Sequence, residues 1–250
     1  GLLFALSAPH FESMDAQFPE GIGQAVATEA NSSRRHPEQL RVLVWNIHYG
    51  HGAEIDHFAP HSRVEVRGTL EGIADVIKKA DVDLVMLQEV DLNSDRSHGM
   101  DQMRLLAEEA GFPHYAYVTT WQARYIPFPV LEPTRWLGKM HSGQGILSRF
   151  PIQSNRRVQL PQPDNPFWYN WFYLKRAIQV VEVAIPNEAP IELYNIHLEA
   201  FSEPNRVDQA ARLKVLVWNE SRPDDRIVVA GDFNATPPEA PIKKGFPDEP

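Results

Sequence analysis

A run of β-branched apolar residues that halts at a glycine, with polar groups spaced directly after it, limits the possible folds of this chain more than any other stretch. It reads Ile227-Val228-Val229-Ala230-Gly231-Asp232-Phe233-Asn234-Ala235-Thr236-Pro237. The run predicts a buried strand, and Thr-Pro ends it because proline has no N–H to give to a ladder. In extended backbone, residues two apart share a side. Asp232 and Asn234 are therefore expected to face one target, with Phe233 turned back into the core. A carboxylate that only accepts, beside a carboxamide that donates and accepts, suits a metal-bound water and a phosphate oxygen. The same letters also fit a plain strand closed by an Asx turn.

The chain has 250 residues, 43% of them hydrophobic, enough to bury the core of one large domain. Its formal charge of −9 argues against a broad basic face. Any nucleic-acid partner would be held by a local patch or by metal ions. With no cysteine, disulfides, zinc thiolates and thiol nucleophiles are excluded. No apolar run approaches the roughly 20 residues of a membrane helix. Residues 1–9 read as the tail of an export-signal core, which favours a periplasmic or extracellular setting over a cytoplasmic one. Residues 1–39 read as an arm or linker, and residues 40–250 as the domain.

Strand and helix patterns alternate through that domain. Strands are predicted at 41–45, 83–87, 115–119, 144–147, 177–184, 191–196 and from 227, and helices at 70–80, 101–110 and 205–218. Crossovers mixed with hairpins imply α/β layers with mixed sheets. Four strands each end in a polar residue: Asn46, Glu89, His197, and the pair Asp232 with Asn234. One such ending is ordinary, since loops begin with polar residues. Four strands ending on a common rim would gather these groups into one cleft, where layered α/β folds bind ligands.

The motifs around these residues resemble those of the endonuclease/exonuclease/phosphatase superfamily, the deoxyribonuclease-like metal-dependent phosphoesterases. In order they are Trp45-Asn46-Ile47-His48-Tyr49-Gly50, Leu87-Gln88-Glu89-Val90-Asp91, Gly145 to Ile152, Asn195-Ile196-His197-Leu198 and Gly231-Asp232-Phe233-Asn234. The resemblance implies a four-layer α/β sandwich with two central mixed β-sheets flanked by helices. It implies a hydrolase that cleaves a phosphodiester or phosphomonoester by direct attack of water. It makes Glu89 the carboxylate ligand of Mg²⁺, or of Mn²⁺, with Asn46 beside it, a choice that agrees with the taste of Mg²⁺ for a few hard oxygens. His197 would hydrogen-bond a phosphate oxygen, Asp232 would orient the water, and Asn234 would hold phosphate or water in line. Arg206 and Gln209 match an Arg-x-x-Gln of the family that serves packing or orientation.

Other residues carry weaker signals. Arg176 is a candidate phosphate contact that surface pairing would explain as well. His48, His51, His57 and His61 fit no zinc spacing and read as loop residues, and Asp91, Asp95 and Arg96 read as ties for the loop after Glu89. Two ring-rich stretches, 121–136 and 166–173, could stack on bases or sugars, dip into a membrane interface, or pack over sheet edges. Family members carry a further Asp-His pair after the Gly-Asp-x-Asn strand. None follows Asn234 here, so the chain is expected to be a fragment that lacks its last strands and hydrolyses poorly. The expected partner is a phosphoester, whether nucleic acid, phospholipid head group or soluble ester, met by a monomer. The alternative is a catalytically silent domain of the same fold that binds a phosphate ligand or serves as a scaffold.

Overall fold

Successive strand residues face opposite ways, and strand Leu84–Asp91 is apolar on both faces. Val85 and Leu87 belong to one core, Leu84 and Met86 to another. A strand buried on both sides must lie in a middle layer. The structure, a computed structural model, describes residues 20–25, 39–52, 58–127, 131–164, 166 and 172–236. His57, Pro237, most of the N-terminal arm and much of the second aromatic stretch lie outside the described residues. The elements in chain order are β1 (Glu20–Gln24), β2 (Val42–Asn46), α1 (Arg63–Ala80), β3 (Leu84–Asp91), α2 (Gln102–Ala110), β4 (His114–Ile126), β5 (Gly138–Ser148), β6 (Ile152–Gln159), β7 (Ala177–Val183), β8 (Ile191–His197), α3 (Glu203–Glu220) and β9 (Arg226–Asp232).

The strands form a five-stranded sheet, β1-β4-β5-β3-β2, and a four-stranded sheet, β6-β7-β8-β9. In each sheet one pair is parallel, β2 with β3 and β8 with β9, and the remaining pairs are antiparallel. The parallel pairs are joined through α1 and α3, because parallel neighbours need a crossover. Helices α1 and α2 bury Leu70, Ile77 and Leu106 against the outer face of the first sheet. A second core, with Met86, Ile146, Val181 and Leu193, lies between the sheets, and a third, with Tyr194, Ile196, Leu213 and Leu216, lies under α3. The result is the four-layer sandwich expected from the sequence.

Toward the rim the inter-sheet layer turns polar. Gln88, Gln144, Gln179 and Asn195 are buried there. Asn195 Nδ2 donates to the carbonyls of Leu87 and Gly145 and to Gln179 Oε1, and its Oδ1 accepts from Gln88 Nε2 at 2.7 Å. Gln144 Nε2 donates to the carbonyls of Asn195 and Ala177. Gln88, Gln144 and Asn195 tie one sheet to the other and fix their register, while Gln179 braces Asn195 and Asn155 within its own sheet, since a buried amide without partners costs free energy.

Several local expectations are corrected by these contacts. Helix α1 begins at Arg63 rather than 70, because Ser62 and Glu65 form a capping box. Residues 20–24, read as part of an arm, pair with β4 as an edge strand. Strand β6 carries the polar sequence Ile152-Gln-Ser-Asn-Arg-Arg-Val-Gln159 and has no apolar alternation to announce it. The run Ile227 to Ala230 was expected to be buried, yet no residue of β9 is. Among the described residues β9 pairs only with β8, and an edge strand leaves one flank open. Phe233 is 43% exposed rather than turned into the core.

Candidate active site

The two βαβ crossovers, one per sheet, bring the C-terminal ends of four strands to the same rim. From β2 comes Asn46, from β3 Glu89, from β8 His197 and from β9 Asp232. Asn46 Nδ2 donates to Glu89 Oε1 at 3.1 Å and to Asp232 Oδ2 at 2.9 Å, and so bridges the sheets. His197 Nε2 lies 3.8 Å from Glu89 Oε1 and 3.7 Å from Asp232 Oδ2. Asn46 Oδ1 accepts from the His48 amide, so the face that Asn46 turns to the two carboxylates is a donor.

Glu89 reaches the site through a defect in the sheet. Gln88 pairs with Gln144 and Val90 with Gly143, which leaves Glu89 as an extra residue on a β-bulge with φ of 55°. A non-glycine residue in the left-handed region costs on the order of 1–3 kcal/mol and persists where its surroundings enforce it. Here the enforcement comes from the next loop. The Arg96 side chain is only 6% exposed and pairs with Asp91 through two hydrogen bonds of 2.8 and 2.9 Å, and its guanidinium stacks 3.1 Å from the centre of the Tyr49 ring. Burial first, and then the Glu89 charge beside it, push the Tyr49 hydroxyl pKa up, so it stays protonated. The tie predicted for Asp91 and Arg96 is real, and its reach to Tyr49 was missed; Tyr49 lies inside the first motif, but its stacking partner is 47 residues away.

His197 is buried, and burial, followed by the nearby Arg176 charge, holds its pKa well below the usual histidine range. It is a neutral imidazole. Arg176 lines the same cleft, is 4% exposed, and its Nε has no hydrogen-bond partner among the described residues. Asn234 does not simply project beside Asp232. Its φ is 49°, its amide donates to Asp232 Oδ1, and its Nδ2 donates to the Leu198 carbonyl, so part of its role is to close the loop after β9. Arg206 donates to the carbonyls of Glu199 and Ala200, and Gln209 Oε1 accepts from the Glu199 amide. The Arg-x-x-Gln pair therefore positions the loop that leaves His197. His51 and His61 meet as tilted rings 4.3 Å apart, and His51 lies edge-on to Tyr49 at 6.0 Å.

No group of three His, Cys, Asp or Glu with the arrangement of a metal site occurs among the described residues. What the rim offers is two carboxylates, Glu89 and Asp232, that share one amide and one neutral imidazole and have no Lys or Arg ion pair among the described residues. Hard, uncompensated oxygens of this kind fit a hard divalent cation that keeps several waters.

A comparison with curated proteins finds no match. Among solved structures, an endonuclease/exonuclease/phosphatase protein from Beutenbergia cavernae is 24% identical with a TM-score of 0.56, the match covering 82% of this chain and 50% of that one. A mannosyl-6-phosphatase from Bacteroides thetaiotaomicron is 17% identical (TM-score 0.52; 79% and 66% covered), and the human Nocturnin catalytic domain with bound sulfate is 20% identical (TM-score 0.52; 90% and 72% covered). The chain thus spans about half the length of the first of these and 66% of the second. The sequence profile described as Endonuclease/Exonuclease/phosphatase family matches residues 43–246. With that match, and with the two mixed sheets and the polar rim they share, the chain belongs to the endonuclease/exonuclease/phosphatase family, whose members are phosphoesterases.

Proposed function

We propose that this chain carries the site of a Mg²⁺- or Mn²⁺-dependent phosphoesterase that cleaves a phosphodiester or phosphomonoester by direct attack of water. The observation that carries the reading is the convergence of Glu89, Asn46, Asp232 and His197 from four strands of two sheets, each with a polar atom within 4 Å of two of the others. Glu89 is the residue to hold the ion, and Asp232 and Asn46 flank it. When bound, such an ion neutralises charge on the phosphoryl and leaving oxygens. Arg176, buried and with Nε unpartnered, takes a phosphate oxygen. Neutral His197 gives a hydrogen bond to phosphate as charge builds there. Asp232 accepts from the attacking water and so orients it. Asn234 keeps the Asp232 loop closed, and its own carbonyl oxygen remains to steady that water. Asn46 holds both carboxylates at their spacing, and turning its amide end for end converts it from donor to oxygen ligand.

The test is Glu89→Gln, which keeps shape and removes the charge. Mg²⁺-dependent hydrolysis, measured on plasmid, sphingomyelin and soluble phosphoesters, should fall by about 100-fold or more. Near wild-type rates in the variant would remove Glu89 from its assigned role. Binding of phosphoesters without turnover by the full-length protein would replace the reading with a silent, ligand-binding one.

A further inference from the structure

Beside the polar rim the cleft, about 400 Å³ in volume, has a wall of another character, formed by Trp121, Ile126, Leu137, Phe172, Leu174 and Phe201. Most of it is anchored. Ile126 and Leu137 belong to a small core with Ala123 and Met140, built where β4 and β5 extend beyond the main sheet, and Trp121 and Phe172 pack on that core. Trp121 Nε1 donates to the Phe172 carbonyl at 2.8 Å, which fixes the indole plane. Phe201, by contrast, is 67% exposed at the cleft although it is a large apolar ring. Such a wall gains by covering itself with something apolar, and fixed rings prefer a flat partner.

The charges restrict what the rest of that ligand can be. The two arginines among the described lining residues are Arg96 and Arg176. Arg96 is neutralised by its two hydrogen bonds to Asp91. Among the described lining residues that leaves Arg176, whose Nε has no hydrogen-bond partner there, to meet an anion, and the chain carries a net charge of −9. One cation answers one phosphate, whereas a nucleic-acid strand is held by a row of them.

We propose that the substrate is a small ester with a single phosphate whose leaving alcohol carries a planar ring, the phosphate on Arg176 and the ring against Trp121 and Phe201. This rests on the phosphoesterase reading of the same site. The ring could be a nucleobase or a phenolic system, which share the flat apolar face that the wall recognises.

The experiment measures affinity by calorimetry, in Mg²⁺, for naphthyl phosphate, AMP, glucose phosphate, a single-stranded oligonucleotide and sphingomyelin vesicles, and follows hydrolysis in the same samples, as free phosphate from the monoesters and as cleavage products from the oligonucleotide and the vesicles. Ring-bearing monophosphates should bind about 10-fold tighter than glucose phosphate. Phe201→Ala, at an exposed position that folding does not need, should erase most of that difference and leave glucose phosphate unchanged. Preference for naphthyl phosphate over AMP, or the reverse, identifies the source of the ring and supports the proposal either way. Equal or tighter binding of glucose phosphate, oligonucleotide or vesicles overturns it, as does an unchanged ring preference in Phe201→Ala. Tight ring-ester binding with no ester cleavage in any sample, the full-length protein included, would instead remove the hydrolytic reading and leave the ring subsite standing.

Discussion

Asn195→Leu keeps the branched shape of the side chain, with bulkier methyl groups at its ends, and exchanges four hydrogen bonds for apolar surface at a fully buried position. Gln88 Nε2 loses its 2.7 Å partner and keeps only a 3.4 Å contact to the Met86 carbonyl, and Gln179 Oε1 loses the Asn195 amide. Two buried amide groups left without partners cost about 1–3 kcal/mol each. The Leu87 and Gly145 carbonyls lose less, since each has a second lone pair. Burial of the leucine side chain returns about 1–2 kcal/mol. The net expectation is a loss of about 3 kcal/mol, roughly two orders of magnitude in the folded-to-unfolded ratio. Urea denaturation followed by tryptophan fluorescence and by circular dichroism measures it, with coincident transitions required for a two-state fit. Replacing Gln88 and Gln179 by leucine as well should recover part of the loss, because neither buried glutamine is then orphaned and the one new vacancy, at Asn155 Oδ1, lies on a partly buried side chain that water can reach. A single variant within about 0.5 kcal/mol of wild type would refute the idea that this carboxamide layer locks the two sheets.

Other expectations are simpler. Gly231 has φ of 143°, and a Cβ there would lie 2.1 Å from the Ile196 carbonyl oxygen, so Gly231→Ala should cost about 3 kcal/mol or more and displace Asp232; a thermal melt matching wild type would contradict this. His51 has its pKa lowered to about 4 by burial first and then by the positive charge of His61, Arg96 and His48. Because the unfolded chain takes the proton near pH 6.5 and the folded one resists it, stability is unaffected above that pH and is lost as pH falls from 6.5 toward 4, by on the order of 2 kcal/mol. His51→Phe should flatten that slope, and parallel pH profiles for variant and wild type would show that another group is responsible.

Much of the candidate site was legible because its signals are local. An apolar run followed at once by Asn, Glu, His or Asp marks a strand end, and each of Asn46, Glu89, His197 and Asp232 lies at the rim where that reading put it. Helix ends were legible where the cap is a neighbour in sequence, as at Asp101 and Gly111. What failed were judgements about burial. Ile227 to Ala230 looks like an interior strand by composition, but composition does not count neighbours, and among the described residues β9 has one. Strand β6 was missed for the opposite reason, its polar side chains finding partners across the sheets, as Asn155 does with the carbonyls of Gly21 and Tyr117.

By itself the sequence determined which residues could serve the chemistry and on which strand ends they would stand, because the alternation of apolar runs and polar stops is written along the backbone. Only the tertiary structure decided how they meet. The bulge that turns Glu89 into the left-handed region depends on β5 pairing, the Arg96 stack on Tyr49 spans two loops, and the amide of Asn46 reaches one carboxylate in each sheet. These are contacts between residues 40 to 190 positions apart, and no local pattern of side chains encodes them.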